Sequence, residues 1–192
     1  MTLDVRPVDY KTAKLFVETW HYSGCMPKGQ IIPFGLYIEN SLYALVIFGN
    51  GVNPYQAKFL GVDKFFELVR MCRVEPKNEN VQLTQFISEA IKRLAQTHEF
   101  DCIVAFADPE HGHEGTVYKA ANFTRHGETQ AEYHLIDSEG NVRHRRYAYR
   151  HARRNGITLE ESREILGVKR IKTLPKIRYV RFFGKHRKRN TN

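Results

Sequence analysis

Apolar positions along the chain follow two periods. Ile31–Ile38 and Leu42–Phe48 are nearly continuous apolar, β-rich runs separated by Glu39-Asn40-Ser41, the pattern of a hairpin. Phe65–Val74 predicts another strand, and Cys102–Ala107 is a short continuous apolar run of the kind a buried central strand requires. Thr2–Arg6, Phe123–His126, Tyr133–Ile136 and Ile177–Phe183 predict shorter strands. A 3–4 spacing takes over elsewhere. Asp9 can cap a helix to Trp20 that gathers Ala13, Phe16, Val17 and Trp20 on one face. Val81–Ala95 aligns Leu83, Phe86, Ile87, Ala90, Ile91 and Leu94. Gly115–Asn122 predicts a short helix, and Thr158-Leu-Glu-Glu starts a capped one that runs to Leu166 and stops at Gly167. Residues 23–29, 50–54 and 108–115 are polar, Gly- or Pro-bearing loops. The order β-α-β-β-β-α-β-α-β predicts an α+β layer, with helices on both faces of a mixed sheet whose middle strands are apolar. We expect one domain over 1–184, with a basic helical or hairpin insertion at about 141–176 and a disordered basic tail over 185–192.

Charge changes this picture. Residues 1–140 hold 13 Lys+Arg and 18 Asp+Glu, net −5, whereas residues 141–192 hold 17 Lys+Arg and three acids, net +14. An acidic body with a basic final quarter points to an anionic polymer or surface as partner. Rings interleave with the cations in Arg146-Tyr147-Ala148-Tyr149-Arg150-His151 and in Arg178-Tyr179-Val180-Arg181-Phe182-Phe183. Cations reach phosphates and rings stack on bases, so this mixture suits nucleic acid. Arg143, Arg145, Arg146, Arg150, Arg153, Arg154, Lys169, Arg170 and Lys172 are the expected DNA contacts. The bland alternative is a solvated basic face. No apolar run approaches the ~20 residues that span a bilayer, so no membrane is expected. The start of the chain lacks a secretory pattern, and three dispersed cysteines (Cys25, Cys72, Cys102) argue for a reducing compartment.

Candidate chemistry concentrates in Ala107-Asp108-Pro109-Glu110-His111-Gly112-His113-Glu114-Gly115-Thr116-Val117-Tyr118. Asp108 ends the central strand, where a partly desolvated carboxylate can act as general base; the competing role is a turn cap. Tyr118 lies one turn into the next helix, as a proton donor or a packed ring. His111 and His113 are weak metal ligands, since His-x-His has no further ligands at a recognisable spacing. Trp20-His21-Tyr22-Ser23-Gly24 offers a recognition surface or a wall for a planar ring. Strict alternation puts Glu67, Val69, Met71 and Arg73 on one strand face and Leu68, Arg70, Cys72 and Val74 on the other. Arg70 and Arg73, in an interior strand, need carboxylates or an anionic ligand.

The element order is that of the GCN5-related N-acetyltransferase fold. Enzymes of that fold cradle acyl-CoA pyrophosphate in a glycine loop before the long helix. Glu75-Pro76-Lys77-Asn78-Glu79-Asn80-Val81-Gln82 has no glycine there, which leaves an acyl-CoA donor and a metal requirement both open. His21-Tyr22-Ser23, Glu67-Leu68-Val69-Arg70, the helix with Ser88, Ala107-Asp108-Pro109, Gly112–Phe123 and Ile177–Gly184 together resemble the Mom proteins of bacteriophages. The resemblance implies a divergent acetyltransferase fold and an enzyme that adds a methylcarbamoyl-type (acetamide-like) group to adenine N6 in phage DNA. That modification protects the DNA from restriction in the host cytoplasm. It also implies catalytic roles for Asp108, Tyr118, His21 and Tyr22, and substrate or donor contacts for Arg70, Ser23, Ser88 and Arg73. Double-stranded DNA is the expected partner, with a homodimer among the possible states. The alternatives are an acyl-CoA N-acetyltransferase acting on a protein or small amine, and a non-catalytic DNA-binding phage protein.

Overall fold

A computed structural model describes residues 3–51, 53, 55–78 and 80–191. The chain falls into two compact units. The larger contains residues 1–107, 115–127 and 178–192; the smaller contains 108–114 and 128–177. The expected single domain is thus divided, and the smaller unit begins earlier than the insertion read from sequence.

In the larger unit, β1 (Asp4–Pro7), β2 (Ile31–Ile38), β3 (Ser41–Gly49) and β4 (Phe65–Arg73) pair antiparallel in that order. β5 (Cys102–Ala107) runs parallel to β4, which requires the crossover helix α3 (Leu83–Ala95). The seven-stranded sheet finishes with β10 (Ile177–Phe182) and then β6 (Thr124–Glu128). Helix α1 (Tyr10–Trp20) is capped by Asp9, whose side chain accepts from Thr12 N at 3.0 Å. It buries Ala13, Phe16 and Val17 against Leu45, Ile47 and Cys72. Trp20, expected on that face, is 38% exposed instead. Two short helices complete the unit: α2 (Gln56–Leu60), just after the expected chain break, and α4 (Thr116–Ala120). The break itself, 50–54, includes Val52 and Pro54, which lie outside the described residues.

One irregularity decides what β4 presents. Its register with β3 shifts between Ile47 and Phe48: Ile47 faces Arg70, but Phe48 faces Leu68, so Val69 is the extra residue of a bulge. Alternation from sequence put Glu67 and Arg70 on opposite faces. Directly opposed residues share a face, and Gly49 (opposite Glu67) lies two residues from Ile47 (opposite Arg70), so the bulge brings Glu67 and Arg70 to the same side. The ladder with β5 covers only Phe65–Leu68 against Cys102–Ala105, and Val69–Arg73 continues beyond it.

In the smaller unit, β7 (Tyr133–Ile136) lies between β8 (Val142–His144) and β9 (Lys169–Lys172). Helices α5 (Arg146–Asn155) and α6 (Leu159–Ile165) accompany this sheet, and Leu135, Ala148 and Val168 form the small core. Thr158 and Glu161 form a reciprocal capping box at the start of α6. The buried Ser162 hydroxyl donates to Ala148 O at 2.9 Å and ties α6 to α5.

The tail expected to be disordered is ordered as far as the described residues go. Residues 184–191 wind as 3-10 turns after β10.

Candidate active site

The loop after α1 is built around His21. Its Nδ1 accepts the backbone N–H of Ser23 at 3.1 Å and lies 2.8 Å from Ser23 Oγ. A nitrogen that accepts a backbone N–H carries no proton, so the neutral ring holds its hydrogen on Nε2. The imidazole stacks on Tyr22, with centroids 4.3 Å apart and planes 30° apart. Tyr22 is 53% exposed, which leaves the pair as a platform at the surface of the larger unit.

Arg70 fixes this loop. Its Nε donates to Cys25 O at 3.1 Å, its Nη1 donates to Val69 O at 2.7 Å, and its Nη2 lies 3.9 Å from Cys25 Sγ. The expected carboxylate or anionic partner is thus replaced by the backbone of a loop 45 residues earlier. Arg73 finds the expected carboxylate in Glu75, in a two-pronged contact at 3.0 and 3.4 Å.

Tyr118 is buried on α4, its ring 5.8 Å from that of Phe123 and 5.7 Å from that of Tyr179. Burial, reinforced by Tyr22 and Glu67, pushes its phenol far above the ordinary tyrosine range. It therefore holds its proton at neutral pH and can donate a hydrogen bond. Gly115 places the ring: its φ is 77°, and a Cβ there would meet the Tyr179 ring at 2.2 Å. Glu67 is the functional candidate that sequence reading missed. After burial, Tyr22 and then Glu67 contribute to raising the Tyr118 phenol, and all three lie in the larger unit. Alternation concealed this, because the bulge at Val69 has no signature in residue type.

Asp108 belongs to the smaller unit. It is 6% exposed, its Oδ2 lies 2.7 Å from Lys176 Nζ, and its Oδ1 accepts weakly from Glu110 N at 3.3 Å. Its own carbonyl accepts from His111 N and His113 N, each at 3.1 Å. The expected general base is thus an ion-paired carboxylate that also caps a 3-10 turn over Pro109–His111. His111 and His113 are exposed, and no three His, Cys, Asp or Glu residues converge among the described residues.

Ser88 accepts from Arg181 Nη1 at 3.4 Å. It lines a cavity of about 410 Å³ with Leu3, Thr84, Gln85, Glu89, Lys92 and Ala120.

The segment before α3 carries no glycine loop and uses several of its own backbone donors. Asn78 N donates to Tyr43 Oη at 2.8 Å, Asn80 N to Asn78 Oδ1 at 3.0 Å, and Val81 N to Asn78 O at 3.1 Å. Three backbone donors of the segment are thus engaged within the protein, whereas α3 itself begins without a side-chain cap. Glu79 of this segment lies outside the described residues.

The nine expected DNA contacts are all exposed in the smaller unit. Arg146, Arg150, Arg153 and Arg154 project from α5 beside the exposed rings of Tyr147 and Tyr149. Lys169, Arg170 and Lys172 line β9, with Arg170 over the Tyr133 ring at 4.7 Å. Arg143 and Arg145 are less available, since Asp137 and Glu132 lie 3.7 and 3.3 Å from them.

Solved structures share this architecture. Arabidopsis thaliana NAA60, in complex with a bisubstrate analogue, is 10% identical, with a TM-score of 0.57 over 94% of this chain and 98% of that one. A variant of the SpeG spermidine N-acetyltransferase from Vibrio cholerae is 11% identical, with a TM-score of 0.55 over 99% and 96% of the two chains. The fold is that of the GCN5-related N-acetyltransferases, and the protein is a transferase. Within that class its place is specific. Residues 2–192 match the Mom protein family, and the chain belongs to it. The methylcarbamoylase Mom of Escherichia phage Mu is 23% identical over 196 residues, covering 99% of this chain and 79% of that protein.

Proposed function

We propose that this chain is a DNA-modifying transferase that adds a methylcarbamoyl-type (acetamide-like) group to the exocyclic N6 of adenine in phage DNA. The observation that carries the reading is membership of the Mom family, which a methylcarbamoylase relative accompanies, in a chain whose larger unit holds a buried Tyr118 and a stacked His21–Tyr22 pair. Protection from host restriction in the bacterial cytoplasm is the role this chemistry would serve.

Adenine N6 is a poor nucleophile because its lone pair is delocalised into the ring. Hydrogen bonding from N6–H to a carboxylate raises electron density on the nitrogen. Glu67 suits this acceptor role. N6 attacks the electrophilic carbon of the donor, and the bond from that carbon to the leaving group breaks. The N6 proton passes to the carboxylate, and Tyr118 supplies a proton to the leaving group. The base must leave the duplex stack to be reached, and the stacked His21–Tyr22 pair suits an extruded purine. No step passes through CoA. The absence of a glycine loop before α3 weighs against the acyl-CoA alternative, whose test is calorimetry with acetyl-CoA.

Nucleoside mass spectrometry of DNA from expressing cells tests the proposal. The wild-type chain yields a modified adenosine, and Tyr118→Phe lowers its yield by about 10²-fold or more while duplex binding persists. Unmodified nucleosides in wild-type cells would overturn the reading.

A further inference from the structure

The end of the chain holds a charged surface that the site above does not use. Residues 178–192 carry six Lys+Arg and no Asp or Glu. Lys185, Arg187, Lys188 and Arg189 are exposed on the 3-10 turns of 184–191. Turns of this type are rarely so long, because their hydrogen bonds are poor, and a run of cations adds repulsion. Something must hold them, and Asn190 does. Its Oδ1 accepts from Phe182 N at 2.8 Å, and its Nδ2 donates to Phe182 O at 2.9 Å, in the manner of a neighbouring strand at the end of β10. Its own carbonyl accepts from Thr124 Oγ1 on β6 at 2.8 Å. At the other end of the turns, Phe183 N donates to Asp101 O at 2.8 Å. Arg189 lies over the Phe182 ring at 4.2 Å.

We propose that these clasped turns form a duplex-DNA contact surface carried by the larger unit, in addition to the cations of α5 and β9 in the smaller one. The inference rests on the reading of DNA as substrate. A flexible tail would lose conformational entropy on meeting a phosphate backbone, whereas the Asn190 clasp has already ordered the cations. Charge complementarity selects the partner: four exposed cations, with Asp101 as a neighbouring acid 3.8 Å from His186, match a polymer that repeats its negative charge.

Fluorescence anisotropy of the full-length protein with a labelled 30-base-pair duplex across 50–200 mM NaCl tests this. The triple variant Lys185→Gln/Arg187→Gln/Lys188→Gln is expected to bind more weakly at 50 mM NaCl. Its salt slope should fall by about 0.9 for each phosphate that it no longer neutralises, so the rise in salt should weaken it roughly 40-fold less than it weakens wild type. Asn190→Ala keeps every charge and releases the clasp. It is expected to weaken binding with little change in slope, and thermal melting checks that both variants fold. Wild-type binding and slope in the folded triple variant would overturn the proposal, and wild-type affinity in Asn190→Ala would overturn the role of the clasp. If wild-type protein ignored the duplex, the DNA reading itself would fail, which separates the two outcomes. Should the triple variant lose affinity for poly-glutamate but not for DNA, the partner is an acidic protein and this proposal is wrong.

Discussion

Cys72 and Cys102 lie in the core of the larger unit, where burial pushes both thiols up to about 12, whereas Cys25 is exposed in the loop after α1. The native protein should therefore react with a thiol reagent at one cysteine at pH 8, and at three once denatured. The same burial makes stability depend on pH. Each raised thiol value favours the fold fully below the unfolded value of ~8.5, and that contribution is lost as pH climbs toward 12. Thermal melting between pH 8 and 11 should show a falling midpoint, and replacing both residues with Ala should flatten part of that fall. Residue identity made Tyr118, His21 and Tyr22 legible in the sequence, because rings and imidazoles beside glycine loops are conspicuous. The partners of Asp108 and Arg70 were not legible. Lys176 and the Cys25 carbonyl lie 68 and 45 residues away, and neither belongs to a local pattern.

Elements differ in how openly they declare themselves. The hairpin of β2 and β3, the crossover helix α3 and the capped helices α1 and α6 all lie close to their expected bounds. α5 was hidden, because its only apolar buried residues are Ala148 and Ala152, and arginine, tyrosine, His151 and Asn155 fill the rest. Two alanines carry too little apolar contrast to mark a helical period. α4 is the element on which the proposed mechanism rests most directly, since it carries Tyr118 and follows Gly115. Gly115→Ala forces a Cβ into a fully buried ring and a side chain into a left-handed backbone. The expected cost is about 2–4 kcal/mol of stability, read by chemical denaturation, with modification of DNA lost below the melting temperature as well. An unchanged denaturation midpoint would show that Tyr179 yields, and that the glycine is not what sets the phenol.

Across the whole molecule, charge is partitioned differently from the linear sequence. The smaller unit holds 11 Lys+Arg and 10 Asp+Glu over 108–114 and 128–177, so its cations act as a local face rather than as a net charge. Arg150, Arg153 and Arg154 on α5 are the cations to remove: the triple Gln variant should reduce the salt slope of duplex binding by about 2.7, at about 0.9 per phosphate. A slope equal to wild type would leave α5 a solvated face. No helix among the described residues is long and apolar enough to cross a membrane. The element order and the apolar central strands were readable because periodicity and turn chemistry act over a few residues and leave their mark on neighbouring positions. Which face Glu67 shares, what Arg70 and Asp108 grip, and whether a basic tail is ordered turn on a one-residue bulge and on hydrogen bonds between distant segments. Those contacts exist only once the sheet has assembled, so no window of the chain contains them.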